Sequence, residues 1–293
     1  MFELYLKFYK YTIDFIFMQC IIININYLKT EKGECLLMKI AIIGATGYGG
    51  AELTRILHNH PDVSIHSVHT SSQEGMAFAE SYPHLQDVVQ QNLDDIHPEK
   101  IANEVDLVFM ATPSGISSQL VPEFMQHDVK IVDLSGDYRL QDQSAYQQWY
   151  KLEPGDDNVL KQAVYGLSEW VEDDLTKVQL VSNPGCFPTS VSLGLAPLIK
   201  TDLVDESSII IDAKTGVSGA GRGLSTASHF SETNENLKIY RVNAHQHTPE
   251  IEQQLKEWNP RIKPITFTPH LVPMTRGIMA TMYANAASAV DID

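Results

Sequence analysis

The chain has 293 residues, 43% of them hydrophobic and 20% charged, with 17 Gly and 14 Pro. This is a globular composition, long enough for one large or two ordinary domains, and it excludes a wholly disordered, collagenous or coiled-coil protein. With 21 Lys+Arg against 37 Asp+Glu the formal charge is −16, which argues against nucleic acid as a partner, because neutralising phosphates requires basic patches.

Residues 1–37 differ from the rest. They are rich in Phe, Tyr and Ile, and Lys7, Lys10, Lys29 and Lys32 are balanced by Glu3, Asp14, Glu31 and Glu34. The uncharged run Phe15–Leu28 is shorter than the roughly 20 apolar residues of a membrane span, and Asn24 and Asn26 interrupt it. No small-residue cleavage site follows it, as a signal peptide would require. No membrane partner is expected. The stretch reads as upstream sequence ahead of a start at Met38, where Met-Lys-Ile-Ala-Ile-Ile-Gly opens a buried strand. Of the cysteines Cys20, Cys35 and Cys186, two fall in this stretch. They make no disulfide framework, so a reducing, cytoplasmic compartment is expected.

From Met38 the elements follow in an order that defines a fold class. Lys39–Ile43 is a short apolar run, typical of a buried parallel strand. It enters Gly44–Gly50 (GATGYGG) directly, and Ala51–His60 then reads as a helix with Leu53, Ile56 and Leu57 on one face, stopped by Pro61. Val63–His69 is a second strand. Asp106–Met110 and Lys130–Leu134 are further strands, with a helix over Ser117–Gln126 between them. Strand, glycine turn, helix and strand make a βαβ unit and a parallel sheet. Residues 141–180 are polar and acidic and are expected to be peripheral. A helix is expected over Thr189–Lys200, a strand over Ser207–Lys214, a flexible loop over Gly216–Gly223 and a helix over Thr248–Trp258. Strands over Ile265–Pro269 and Ile278–Ala284 follow.

Gly44-x-x-Gly47-x-x-Gly50 sits where a dinucleotide loop must sit, between the first strand and its helix. Glycines there permit a tight turn and let backbone N–H groups approach a pyrophosphate, which the helix N-terminus also favours. The bland alternative is an ordinary glycine-rich βα turn. After the second strand comes His69-Thr70-Ser71-Ser72-Gln73, with no acid to bind a ribose 2′-hydroxyl and with hydroxyls able to donate to a phosphate. NADP is therefore preferred over NAD. Cys186, in Asn183-Pro-Gly-Cys-Phe-Pro-Thr189 at the mouth of a helix, is either a thiolate nucleophile stabilised by that helix or a small buried hydrophobe. In His245-Gln-His247-Thr-Pro-Glu250 the imidazoles are acid/base candidates, with Glu250 able to orient His247. Surface histidines or metal ligands are the alternatives, and no third ligand cluster accompanies them, so no metal is expected. Arg139, after a strand, and Arg222, in the glycine-rich loop, are forks for an anionic substrate or surface charges.

Together these residues resemble the N-acetyl-γ-glutamyl-phosphate reductases, arginine-pathway relatives of aspartate-semialdehyde dehydrogenase. The likeness lies in GATGYGGAEL, DLSGDYRL, SNPGCFPTS, DAKTGVSGAGR, HQHTPEIEQ and FTPHLVPMTRGI, six ordered blocks from Met38 to about Ala284. It implies an α/β Rossmann domain with a doubly wound parallel sheet over 38–182, and an α+β catalytic and dimerisation domain over 183–293. It implies NADPH as cofactor, an acyl-phosphate substrate and a homo-oligomer. By this resemblance Cys186 is the nucleophile and His247 the acid/base. Arg139, His245 and Arg222 are substrate contacts. Gly44, Thr46, Gly47, Tyr48, Gly49, Gly50, Ser71, Ser72, Ser218 and Gly219 are cofactor contacts. The reaction implied is reduction of N-acetylglutamyl 5-phosphate to the semialdehyde through a cysteine thioester. The alternatives are reduction of a related acyl phosphate such as aspartyl phosphate, or an inactive nucleotide-binding fragment. Relatives continue past the point where this chain ends, so the catalytic domain is expected to be incomplete at its C-terminus.

Overall fold

The computed structural model describes residues 37–288. The stretch read above as upstream sequence lies, apart from Leu37, outside the described residues. The chain divides into two compact units between Gly185 and Cys186.

The first unit holds β1 (Met38–Ile43), α1 (Tyr48–Leu57), β2 (Val63–His69), α2 (Phe78–Ser81), β3 (Leu93–Asp94), α3 (Pro98–Glu104), β4 (Leu107–Met110), α4 (Ser117–Phe124), β5 (Lys130–Asp133), α5 (Gln143–Tyr150), α6 (Asp157–Leu160), β6 (Ala163–Tyr165) and β7 (Leu180–Ser182). The seven strands form one sheet in the order β3-β2-β1-β4-β5-β7-β6, and every pairing is parallel. The expected doubly wound sheet is what the structure contains. Strands covered on both faces need no polar alternation, and Ile40, Ala41, Ile42 and Ile43 are all fully buried. Behind the sheet, Val121 and Phe124 of α4 pack with Ile101 and Ala102 of α3, against Ala41, Ile43, Val108 and Ile131. Each buried Val, Ile or Phe among them contributes about 1.5–3 kcal/mol by leaving water.

Two expectations for this unit are corrected. The helix expected over 51–60 occupies Tyr48–Leu57, because Gly47 is extended and serves as its N-cap, placing the later glycines inside the first turn. Residues 141–180 are more than a peripheral segment: they contain α5, α6 and β6, and β6 pairs with β7 at the sheet edge.

The second unit holds α7 (Cys186–Ile199), β8 (Ile210–Thr215), α8 (Phe230–Thr233), β9 (Lys238–Ile239), α9 (His247–Trp258), β10 (Thr266–Leu271) and β11 (Ile278–Tyr283). Its four-stranded sheet has the order β11-β8-β10-β9, with β8 and β10 parallel and the outer pairings antiparallel. Strand alternation sends Ile211, Ala213, Phe267 and Ile278 to one face, where Phe187, Val191, Leu195 and Ile199 of α7 and Ile251 and Leu255 of α9 cover them. The opposite face carries Ile210, Met279 and Tyr283, which are 46%, 56% and 57% exposed. Helix α7 begins at Cys186 and not at Thr189. Pro188 is its third residue, and proline is tolerated in a first turn because the N–H it lacks would have had no intrahelical acceptor.

Candidate active site

In the first unit the C-terminal ends of the strands assemble a glycine cradle. Gly44 has φ +82, and a Cβ there would lie 2.4 Å from the carbonyl oxygen of Ala111. A Cβ on Gly50 would lie 2.4 Å from the Gly44 oxygen. Only glycine lets the β1–α1 turn close against the chain leaving β4 and against its own helix. Gly47 caps α1, while Gly49 meets nothing within 4 Å. The amides of Gly44 and Ala45 donate to the His69 carbonyl at 3.0 and 3.2 Å. Thr70, Ser71 and Ser72 follow this carbonyl at the end of β2. Both serines are exposed. Thr46 accepts from Tyr82 Oη at 3.0 Å through its carbonyl, and Tyr48, at the first position of α1, is 39% exposed. The first turn of α1 carries no acidic side chain, so its N-terminal amides and partial positive charge are available to an anion. A cradle this tight, at the β1/β4 reversal of strand order, fits a dinucleotide pyrophosphate.

A second loop at this end escaped the sequence reading. Thr112–Gly115 leaves β4 beside Gly44, and Gly115 has φ +91. Asp137 holds it, accepting from the amides of Gly115 and Ser118 at 2.8 Å and from Tyr146 Oη at 2.8 Å. The signal was available in Thr-Pro-Ser-Gly at a strand end.

Next to this network lies Asp133, fully buried, with Oδ1 accepting from Ser117 Oγ at 2.7 Å and from the Ser135 amide at 3.0 Å. Its Oδ2 accepts from Ser135 Oγ. Burial outweighs these bonds and pushes the carboxyl up to about 6 from 3.8. A raised carboxyl favours the folded state in its protonated form. That contribution is complete below about pH 3.8 and is lost as pH rises through about 6, by roughly 3 kcal/mol in all. Asp133→Asn keeps the Oδ1 acceptor for Ser117 Oγ and the Ser135 amide and removes the charge, with its Nδ2–H donating to Ser135 Oγ in place of the bond Oδ2 accepts. Its stability relative to the parent, measured by urea unfolding, is expected to rise between pH 4 and 7; a flat difference would refute the assignment.

In the second unit Cys186 is the first residue of the 14-residue helix α7 and is partly buried against the core. It forms no disulfide. The helix N-terminus favours a thiolate there. Phe187, the next residue, contacts both imidazoles edge-on: His245 at 5.3 Å and His247 at 5.9 Å between ring centroids. The imidazoles lie 4.8 Å apart. Both are buried, unlike surface histidines. His247 opens α9, and its amide donates to Nδ1 of His245 at 3.0 Å. Burial first, and then the Arg241 charge, lower His245 to about 4. Tyr240 was missed by the sequence reading: its ring meets His245 at 5.7 Å, and burial followed by the charge of Cys186 pushes its phenol up to about 12. Glu250, in the first turn of α9, is fully buried.

The remaining expected residues are placed as follows. Arg139 is 5% exposed, and its guanidinium donates to the carbonyls of Asn183 at 2.8 Å and Leu134 at 2.6 Å. It braces the turn that precedes Cys186 in sequence. Arg222 is exposed in the loop after Ala220. Ser218 and Gly219 lie in a single 3-10 turn over Val217–Ala220, pinned where the amides of Val217 and Ser218 donate to Met274 and Thr275. Arg222, Ser218 and Gly219 belong to the second unit, whereas the glycine cradle belongs to the first. Among the described residues no group of three or more His, Cys, Asp or Glu is placed to hold a metal ion.

Residues 39–178 match the family model described as "Semialdehyde dehydrogenase, NAD binding domain", and residues 186–293 match "Semialdehyde dehydrogenase, dimerisation domain". The chain is 57% identical over 256 residues to an N-acetyl-gamma-glutamyl-phosphate reductase of Geobacillus sp. (strain WCH70), covering 87% of this chain and 74% of that protein. The chain belongs to the N-acetyl-gamma-glutamyl-phosphate reductase family. A family member from Bacillus cereus (strain 03BB102) is 51% identical over the same shares. Two solved structures share the fold at low identity. Aspartate semialdehyde dehydrogenase II complexed with ASA, from Vibrio cholerae, gives a TM-score of 0.63 at 15% identity over 87% of this chain and 76% of that one. Aspartate semialdehyde dehydrogenase with NADP, from Candida albicans, gives 0.61 at 16% over 87% and 73%. The family resemblance drawn from the six sequence blocks is thereby established, and so is the Rossmann-type cofactor domain.

Proposed function

We propose that this chain reduces N-acetyl-L-glutamyl 5-phosphate to N-acetyl-L-glutamate 5-semialdehyde and phosphate, with NADPH, through a thioester on Cys186. The observation that carries the reading is a cysteine opening a long helix, whose next residue, Phe187, contacts two buried imidazoles, in a chain 57% identical to a reductase of that name. The Cys186 sulfur forms a bond to the acyl carbon as the bond from that carbon to the phosphate oxygen breaks. His247 takes the thiol proton and delivers it to the departing phosphate. Gly44, Thr46, Gly47, Tyr48, Gly49 and Gly50 would hold the dinucleotide and Ser71 and Ser72 its ribose phosphate; Ser218 and Gly219 are also read as cofactor contacts. A nicotinamide cofactor bound there supplies the hydride that reduces the thioester to the aldehyde. His245 and Arg222 contact the substrate. Arg139, committed to two backbone carbonyls, acts as a positioning residue for the turn before Cys186.

We read the enzyme as a homo-oligomer, supported by the dimerisation-domain match and by the exposed Ile210, Met279 and Tyr283 on the uncovered sheet face. Light scattering that gave a monomer mass at micromolar concentration would count against this. A cytoplasmic enzyme accords with these chemistries; no helix among the described residues is long and apolar enough to cross a membrane.

The test runs the reaction backward. Purified protein is expected to reduce NADP in the presence of N-acetylglutamate semialdehyde and phosphate, and to do so far more slowly with aspartate semialdehyde. Preference for the aspartyl compound would overturn the substrate. Absence of turnover, with NADP binding intact, would leave only a nucleotide-binding protein.

A further inference from the structure

The two imidazoles of the His-x-His pair are held differently. The amide of His247, the first residue of α9, is one of the helix's N-terminal donors that no intrahelical carbonyl can satisfy. Gln246 stands at the N-cap position and makes no side-chain capping bond. The Nδ1 of His245 accepts that amide at 3.0 Å instead. A ring nitrogen that accepts a backbone N–H carries no proton, so the ring's one proton sits on Nε2. The ring is 5% exposed. Phe187 and Phe267 meet it edge-on at 5.3 and 5.7 Å, and Tyr240 and His247 complete the enclosure. A second proton would have to displace the helix cap and would place a cation in this aromatic shell, near Arg241 and at the positive end of α9. Its Nε2 makes no hydrogen bond within the described residues and is not sealed from solvent.

We propose that His245 is the fixed neutral donor of this site: Nδ1 caps α9, and Nε2–H is offered to an acceptor oxygen of the substrate's acyl group. The proposal rests on the reductase reading and sharpens it, since it removes His245 from proton transfer and leaves that work to His247. A spacing of two residues then has a physical reason. One imidazole opens the helix and the other orients itself on the amide so presented.

Two measurements test this on the full chain. In protein labelled with nitrogen-15 histidine, with the His245 resonances assigned by their loss in His245→Asn, the ring is expected to show the Nε2–H tautomer with no titration between about pH 5.5 and 9, in contrast to an ordinary histidine near 6.5. Addition of N-acetylglutamate semialdehyde is expected to shift the Nε2–H signal. An Nδ1–H tautomer, a midpoint between about 6 and 7, or a signal unmoved by the semialdehyde would overturn the proposal. This arm reads tautomer and charge without turnover, so it separates failure here from failure of the reductase reading. In the kinetic arm, His245→Asn keeps an acceptor for the His247 amide and lacks the ring N–H. It is expected to melt at the parent temperature while kcat/KM falls roughly 10- to 100-fold. Activity within about threefold of the parent would reduce His245 to a helix cap.

Discussion

Cys186→Ala is expected to abolish turnover while leaving NADP affinity nearly unchanged. In the proposed reaction the sulfur is the atom to which the acyl group is transferred, and no other described cysteine is present to replace it. The glycine cradle proposed to hold the dinucleotide belongs to a different unit. Loss of the nucleophile removes the two-step route altogether, leaving no reactive electrophile for reduction. Two readings check it: steady-state rates of semialdehyde oxidation, and a fluorescence titration with NADPH. The parent thiol should also react with iodoacetamide near neutral pH faster than an ordinary exposed cysteine, because it opens a 14-residue helix. Substantial residual rate in the Ala variant would take Cys186 out of the mechanism. Loss of NADPH binding along with activity would point instead to a structural role.

The second large effect is expected at His247. His247→Asn should lower kcat by roughly 10²–10⁴-fold, the range for a lost general acid/base, with a smaller change in KM. The side chain is buried beside Phe187 and the other imidazole, so the asparagine variant's melting temperature should be recorded with its rate. The contrast with His245 is informative. His245 is held down at about 4 by burial and by Arg241, so it is neutral throughout the working range and its replacement should leave the shape of the pH–rate profile intact. Replacement of His247 should remove one limb of that profile. If the His245 variant lost the limb and the His247 variant kept it, the two roles would have to be exchanged.

Much of the first unit was legible from local pattern. Continuous apolar runs at 39–43, 106–110 and 130–134, separated by helical segments, identified a parallel sheet, because strands buried on both faces need no polar alternation. The glycine spacing marked the cofactor turn for a similarly local reason. Short strands were harder to see. β6 and β7 have three residues each, too few for any period to register, and so β6 was hidden in a segment that reads as a polar excursion. The sequence pattern starts this helix at Thr189, after Pro188, three residues later than its true start at Cys186. Only the helix itself shows that a proline at its third position loses nothing.

The sequence by itself determined which candidate groups the chain presents: a cysteine at a helix mouth, a histidine pair before Pro249 and Glu250, and a glycine turn after the first strand. These follow from residue type and near-neighbour spacing. Tertiary structure alone decided how those groups are deployed. It tied Gly44 to the His69 carbonyl and pressed it against Ala111. It turned Arg139 inward to two backbone carbonyls, where sequence position suggested an anion fork. It also set the His245 ring so that Nδ1 caps α9, where burial and the Arg241 charge favour the neutral imidazole. The physical reason is the same in each case. Hydrogen-bond direction and desolvation depend on groups brought together by folding, many of them distant along the chain, and neither residue type nor spacing encodes which atom of a ring or guanidinium faces which partner.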